Sequence, residues 1–429
     1  MNSNNVTVAG KTILLIHAGS MRKKFIFDRL KELGIQIVCL NKERTTLAEP
    51  YVSHWITADL KDYQACLDQV KQFMSDNPTV KIDGALTFWD ECILLTSKIV
   101  DAFGWVGIPF AVSDRIKNKY VFRDACQTEG ISAPCHVLIH QETDLDQVDK
   151  KLEYPLVIKP IYGACSAFVV RVENQAELQA AYATIKKNIN NFWLAPEWKN
   201  LEVQAEEYID GQEVDIDILL QDGQCTYIAI IDNKETNEPY FVETGWSSPS
   251  RLSAPEQRAL EAMALSTLDK LGVKNGCVHF EAKIGSQGAV PIEVNLRMGG
   301  GEVYIYSKLV WGVDLVEGAA TIALGLPLHV AKAASPHYHL LSHRFLSGDT
   351  CQVTKINVHK DLYTQDYFVD LYFEKQAGDI FLAPPEGYDR SIGVITVKGQ
   401  SHQETANNLA KALKYIDYTL KKMETKQQD

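Results

Sequence analysis

The chain has 429 residues, 46% of them hydrophobic and 23% charged, which is enough for two to three domains, each with its own core. Its 43 Lys and Arg stand against 55 Asp and Glu, and a net charge of −12 argues against a nucleic-acid groove or an anionic membrane surface as the main partner. The polar start MNSNNVTVAGKT is not expected to act as a signal peptide, and the longest apolar stretch, LVWGVDLVEGAATIALGLPL, is interrupted by Asp314 and Glu317, so no membrane span is expected. Nine cysteines are scattered without a CxxC pair or a zinc-site spacing and read as buried or free thiols in a reducing cytoplasm.

Residues 11–112 alternate between strand and helix patterns. TILLIHAG reads as a buried strand entering a glycine turn, and MRKKFIFDRLKELG places Phe25, Leu30 and Leu33 on a helical face closed by Gly34. IQIVCL and VKIDGALTF (80–88) are further strands, so the segment reads as a Rossmann-like α/β unit. The first turn has only Gly19 and no GxGxxG, which argues against a nicotinamide cofactor and leaves a structural turn or a phosphate turn there. SDRIKNKYVFRDACQTEGISAP (113–134) reads as one helix with Ser113 as its cap and Gly130 as its stop.

YPLVIKPIYGACSAFVVRV (154–172) reads as strand, small-residue loop, strand, and KKNINNFWLAPEWKN (186–200) as a loop without periodicity. LEVQAEEYIDGQEVDIDILL (201–220) reads as two strands about a bend at Asp210-Gly211, and DNKETNEPYFVETGWSSPS as the aromatic, polar rim of a site. Residues 254–272 and 303–325 carry helical spacing. The last part, from about 340, reads as strands and a final helix with Ala406, Leu409, Leu413, Ile416 and Leu420 on one side.

The chemistry concentrates in HFEAKIGSQGAVPIEVNLRMGGG, residues 279–301. With Gly285–Ala289 as a loop, Ala282 faces Ile292 and Phe280 faces Val294 on an apolar side. The opposite side then sets Glu281 against Glu293, His279 against Asn295 and Cys277 against Arg297. Two carboxylates directly opposite repel one another, so a cation belongs between them. Two carboxylates and an amide oxygen suit Mg²⁺ or Mn²⁺, with Glu293 able to bridge two ions. Arg297 would meet a phosphoryl group or a developing oxyanion.

This run, with Glu, Glu, Asn and Arg in order, resembles the metal-binding hairpin of ATP-grasp enzymes, and the layout of the whole chain is similar to theirs. The resemblance implies an α/β and α+β multidomain ATP-grasp fold. It would comprise a Rossmann-like domain over 1–112, a linker helix and lid over 113–200, a central domain over 201–339 and a small C-terminal domain over 340–429. It also implies that Lys119 in NKYVFR and Lys159 in VIKP neutralise the ATP phosphates, beneath a loop containing Gly163 and Ser166. Glu206, Glu207, Tyr208 and Ile209 would meet the adenine, mainly through backbone groups, and Glu213 the ribose. Glu281, Glu293 and Asn295 would hold the metal, with Glu293, Arg297 and Lys159 as the catalytic set.

FVETGWSSPSRLS followed by the hairpin is most similar to the L-amino acid ligases and carnosine-synthase-like proteins. That likeness implies an amino acid carboxylate activated as an acyl phosphate and joined to an amine, with small-molecule partners and a homodimer. Glu243 would then hold a substrate ammonium, and Gly299 and Gly300 would border the substrate. Trp246 either shapes a side-chain pocket or is buried, His279 either touches substrate or pairs with Asn295, and Met298 packs in the core. An ATP-grasp enzyme with a purine, bicarbonate-biotin or carrier-thiol acceptor is the alternative, and SIGVITVKGQSHQETANNLAKAL is compatible with both.

Overall fold

A computed structural model describes residues 7–189 and 202–423. Most of KKNINNFWLAPEWKN, expected to be a loop, therefore lies outside the described residues. Near the N-terminus, β1 (Thr12–Ile16), α1 (Lys24–Glu32), β2 (Gln36–Asn41), β3 (Val52–Thr57), α2 (Tyr63–Asp76), β4 (Gly84–Leu86) and α3 (Ile93–Phe103) build a parallel sheet of order β3-β2-β1-β4. Such a sheet is covered on both faces, and β1 shows why TILLI has no polar alternation. Ile13 and Leu15 pack into one core, Leu14 and Ile16 into another. Helix α1, preceded by a short 3₁₀ turn, Met21–Lys23, buries Leu30 as expected together with Ile26 and Phe27, and the expected Phe25 and Leu33 pack half-buried against the same core. Phe25 stacks there on Tyr304, 4.6 Å between ring centres.

The segment expected to be one helix from Ser113 is two, α4 (Phe110–Lys117) and α5 (Lys119–Thr128). Asn118 breaks them with an extended backbone, and its side chain accepts from the N–H groups of Tyr120 and Val121 at 3.1 Å. Ser113 is not a cap. It is buried inside α4 and shares a 2.6 Å hydrogen bond with Ser97. Next come β5 (His136–Ile139), α6 (Leu145–Lys151), β6 (Leu156–Pro160), β7 (Val170–Val172), α7 (Gln175–Asn188) and β8 (Val203–Glu207), forming an antiparallel sheet of order β5-β8-β6-β7.

The largest sheet has the order β13-β12-β9-β10-β11-β14-β18-β16. Its first members in the chain are β9 (Gln212–Gln221), β10 (Gln224–Asn233) and β11 (Trp246–Ser248), followed by α8 (Ala254–Leu271), β12 (Gly276–Gly285) and β13 (Gly288–Asn295). Helices α9 (Val303–Trp311) and α10 (Leu315–Ala323) divide the stretch 303–325, the break being Gly312 in the left-handed region and Asp314 as the cap of α10. The chain continues through β14 (His339–Phe345), β15 (Cys351–Val358), β16 (Phe368–Phe373), β17 (Ile380–Phe381), β18 (Gly393–Gly399), α11 (His402–Ala412) and β19 (Ile416–Lys422). The expected final helix stops at Ala412. Ile416, Tyr418 and Leu420 alternate with exposed residues on β19, which pairs with β15, so a period of two prevails over the helical reading there.

The decisive hairpin is β12–β13. Glu281 pairs with Glu293, His279 with Asn295 and Phe280 with Val294, as the apolar pattern requires. Beyond Glu281 the register slips by one, so that Ala282 faces Pro291 and Lys283 faces Val290, and the turn is Ser286-Gln287 rather than a five-residue loop. All nine cysteines are free thiols, and among the described residues no helix is long and apolar enough to cross a membrane.

Docking of the N-terminal sheet on α10 depends on Gly84, where an added Cβ would stand 2.1 Å from the Ala323 carbonyl oxygen. Gly84→Ala is expected to destabilise the protein by about 1–3 kcal/mol in urea unfolding. Gly348→Ala, placed in open space, should leave the midpoint unchanged.

Candidate active site

The site begins with a buried ion cluster. Arg123 on α5 is 1% exposed and grips Glu206 of β8 through two hydrogen bonds of 2.9 and 3.2 Å. It also donates to the carbonyls of Pro291 and Ile292 on β13, both at 3.0 Å, tying the helix to the hairpin. Lys159, ending β6, donates to the same Glu206 carboxylate. Burial pushes the Glu206 carboxyl up, but Arg123 and Lys159 outweigh it and hold its pKa at about 2. Burial, reinforced by Arg123 and Lys119, brings Lys159 down to about 8 against the pull of Glu206. One carboxylate thus serves two cations. Lys119 donates to Glu293 at 3.0 Å and to the Gly163 carbonyl at 3.1 Å. Three cations share two acids beside a cleft of about 870 Å³, lined also by Ser166, Tyr208, Ile209 and Glu213. Lys119, Lys159 and Lys283 line this cleft together with six glutamates, so an anionic ligand there would meet lysines directly but need further cations to offset the acids.

The Glu206 side chain is consumed by the cluster. The N–H groups of Glu207 and Tyr208 donate to the Cys135 and Pro155 carbonyls, at 3.0 and 3.2 Å. All four residues of the segment 206–209 line the cleft. The Glu207 carboxylate accepts from the Cys135 N–H at 2.9 Å. Lys283 donates to the Ile209 carbonyl at 3.2 Å, lies 3.7 Å from Glu213 and stands over the Tyr208 and Phe241 rings. Above this cleft, Cys165, Ser166 and Phe168 all have φ between 53° and 62°, a left-handed path unusual for residues with side chains. Phe168 anchors that loop on Tyr388, 4.5 Å between ring centres.

Polar residues of three adjacent strands form one face. On β9, Glu213, Asp215 and Asp217 stand directly opposite Lys283, Glu281 and His279 of β12, and beyond these lie Glu293 and Asn295 of β13. His279 Nδ1 is 3.0 Å from Asp217 and its Nε2 3.9 Å from Asp215, so these acids, not Asn295, are its partners. Burial alone would lower His279, but Asp215 and Asp217 raise its pKa to about 9. Asn295 donates to Glu281 at 3.0 Å. Glu281 and Glu293 fare differently. Burial and the facing Glu293 push Glu281 well above the usual carboxylate range, whereas Lys119 and Lys117 overcome burial at Glu293 and lower it. One acid of the pair is therefore paired with a lysine, while the other has only the more distant His279, 4.0 Å away, and with Asn295 this donor set fits a divalent ion that keeps water or phosphate in its shell. Among the described residues, no three His, Cys, Asp or Glu side chains cluster as a complete protein cage.

Arg297, just after β13, is aimed by Asp90 of the N-terminal domain, 3.6 Å away, and Asp90 in turn pairs with Lys117. Burial opposes the ionised Asp90, yet Lys117 and Arg297 bring its pKa to about 2. The glycines that follow leave room for close packing. A Cβ on Gly299 would lie 2.6 Å from His279 Nδ1, while one on Gly300 would meet nothing within 4 Å. Arg297, Gly300, His279 and Glu281 open onto a second cavity of about 920 Å³, walled by Glu243, Trp246, Glu302, Arg344 and Arg390. Glu243, which lines this cavity, pairs through one carboxylate oxygen with Arg344 at 2.9 Å. Trp246 is both buried and a wall of this cavity, and Met298 is 1% exposed, in the core as expected.

Residues 152–304, which carry the Lys159 strand, the loop and the hairpin, match the family model described as ATP-grasp domain. The chain carries an ATP-grasp domain. The solved L-amino acid ligase from Bacillus licheniformis shares the complete fold, with a TM-score of 0.80 at 23% identity over 96% of this chain and 99% of that one. In sequence the chain is 28% identical to carnosine synthase 1 of Gallus gallus, over 78% of this chain and 37% of that protein. It is 21% identical to the L-arginine-specific L-amino acid ligase of Bacillus subtilis, over 73% of this chain and 75% of that one. The chain thus spans well under half the length of its carnosine synthase relative.

Sequence reading missed several residues of the ATP-grasp site. The alternation in EVDIDI marks Asp215 and Asp217 as neighbours of the hairpin, once β9 is known to lie beside β12. Arg123 sits four residues after Lys119, on the same side of α5, and was legible as its helical companion. Asp90, Lys117, Arg344 and Arg390 come from distant segments and left no local signal. Glu206→Gln is expected to cost about 3–5 kcal/mol at neutral pH, because Arg123 and Lys159 stay buried without their acid. Since the folded pKa of Glu206 is depressed to about 2, its contribution is present above the ordinary carboxylate range and fades as pH falls toward that value. The gap between wild type and variant in urea unfolding should therefore narrow from about pH 5 downward.

Proposed function

We propose that this chain is an ATP-dependent carboxylate–amine ligase that joins an amino acid carboxylate to the amine of a second amino acid, giving a dipeptide, ADP and phosphate. The observation that carries this reading is the junction of the two cavities at Glu281, where the cleft lined by Lys119 and Lys159 meets the chamber holding Arg297. The carnosine synthase and L-amino acid ligase relatives support the choice of substrates.

In this reading Lys119 and Lys159 neutralise phosphate oxygens of ATP, and the Gly163–Ser166 loop closes over them. Lys159 is suited to this by having only a share of Glu206. Glu281, Glu293 and Asn295 would hold Mg²⁺ or Mn²⁺, which supplies charge neutralisation between phosphates and the donor carboxylate. The donor carboxylate attacks the γ-phosphorus, forming an acyl phosphate and releasing ADP. The acceptor amine then attacks the acyl carbon, and the tetrahedral intermediate expels phosphate. Arg297, aimed by Asp90, stabilises the oxygens that gain charge in both steps. His279 is kept charged by Asp215 and Asp217 and positions the face on which the donor lies. No side-chain nucleophile is required, because catalysis here is placement and charge neutralisation. A cytoplasmic location belongs to the same reading, supported by nine cysteines none of which forms a disulfide.

The test is phosphate release from Mg-ATP with the twenty amino acids, singly and in pairs, with products weighed by mass spectrometry. Pair-dependent release with a dipeptide mass is expected. Phosphate release without any amide product would sink the proposal in favour of another acceptor class. Arg297→Met should lower kcat about 10²–10³-fold. Its nucleotide affinity, measured by calorimetry, should stay within a few-fold of wild type.

A further inference from the structure

The turn after β1 opens onto a third cavity, of about 1910 Å³, larger than either of the others. Its wall takes residues from the carboxyl end of every strand of the parallel sheet: His17 and Gly19 after β1, Lys42 after β2, Lys61 after β3 and Trp89 after β4. Open α/β sheets bind ligands at that end, where the strand order reverses. In the order β3-β2-β1-β4 the reversal lies between β1 and β4. Lys23, from the 3₁₀ turn after β1, bridges this point by donating to the Phe88 carbonyl beyond β4. Gly19 is required at the crossing, because a Cβ there would stand 2.0 Å from the Trp89 ring.

Six Lys or Arg side chains stand on this wall against three acids, Asp59, Asp90 and Glu91, in a chain whose net charge is −12. Arg22 is spent on Glu302 and Glu374, and Asp90 is shared by Arg297 and Lys117. Glu91 has His17 at 3.7 Å. Lys23 is half-buried, with its ammonium 5.4 Å from the Trp89 ring centre, and among the described residues no carboxylate pairs with it. The charges that act on it, Arg297, Arg390, Asp90 and Glu91, all line the same cavity. Burial first, and then Arg297, outweigh the two acids and bring its pKa down to about 7. An anion beside it would restore the charged form. One short segment, 88–90, thus holds both cations, Lys23 on the Phe88 carbonyl and Arg297 on Asp90.

The third cavity meets the second at Arg297, Gly300, Gly301 and Arg390, but none of Glu281, Glu293 and Asn295 lines it. A molecule lying there reaches the arginine of the acyl centre and not the metal-binding acids. That is the position of the attacking amine, not of the activated carboxylate. We infer that this cavity holds the acceptor and that Lys23 binds the acceptor's own carboxylate, so that a simple amine is a poor acceptor. The inference rests on the ligase reading. With its carboxylate on Lys23, the acceptor turns its amine toward Arg297 and the acyl carbon. The same arrangement keeps the acceptor carboxylate from competing for the phosphoryl group.

The experiment uses the full-length enzyme with Mg-ATP and its best donor, and compares three acceptors: the preferred amino acid, its carboxamide and hydroxylamine. Each KM is expressed as the concentration of unprotonated amine. Hydroxamate formed from hydroxylamine reports donor activation and needs no carboxylate site. For wild type, KM for the amino acid should be at least tenfold lower than for its carboxamide. Lys23→Met should reduce that preference at least tenfold, while Lys23→Arg recovers part of it. Equal wild-type KM values for acid and carboxamide would overturn the inference, even if the variants failed to fold. An undiminished preference in Lys23→Met would do so as well. Absence of donor-dependent hydroxamate from wild type would instead overturn the ligase reading on which the inference stands.

Discussion

Too many carboxylates on one sheet face is the constraint around which this protein is organised. Glu213, Asp215, Asp217, Glu281 and Glu293 lie on neighbouring strands, and burial drives Glu213, Asp215 and Glu281 toward protonation. The chain supplies cations from separate places. Lys283 answers Glu213, His279 answers Asp215 and Asp217, and Lys119 answers Glu293. Glu281, facing Glu293 and 4.0 Å from His279, lacks a Lys or Arg of its own, and it sits where the two cavities meet. A metal-dependent phosphoryl transfer is the chemistry that this deficit suits.

Each answering cation also does structural work. Lys119 opens α5, and four residues later Arg123 reaches Glu206 and the β13 carbonyls, so one helix fixes both β8 and the hairpin. Asp90 links Lys117 and Arg297, which ties Arg297 to the segment between β4 and α3. Arg22 joins Glu302 at the start of α9 to Glu374 after β16. Distant segments are thus held together by the same charges that build the site.

The two cavities differ in their charges. One sets Lys119, Lys159 and Lys283 among six glutamates near β6, β8 and the left-handed loop; the other mixes Arg297, Arg344 and Arg390 with acids on β9 and around β11. Cys165, Ser166, Glu243 and Glu281 border both. Gly299 is required by packing, since a Cβ there would stand 2.6 Å from His279 Nδ1.

The hairpin was legible in the sequence because its apolar face has a period of two and a register that pairs like residues, which forces Glu281 against Glu293 whatever else the chain does. The lysine of VIKP was legible for a similar reason, as a charge ending a wholly apolar strand, and the parallel N-terminal sheet was announced by buried strands that do not alternate. Local pattern could not settle competitions between periods, as at Ile416–Leu420, or the break at Asn118, where an amide side chain claims the N–H groups of the next turn. Nor could it show that the Glu206 side chain belongs to Arg123 and Lys159, or that Glu243 belongs to Arg344. Electrostatic partners are chosen by distance in space, over separations such as the 83 residues between Arg123 and Glu206. Which acid keeps its charge uncompensated is therefore a property of the packed structure, while the set of acids to be compensated was written in the strands themselves.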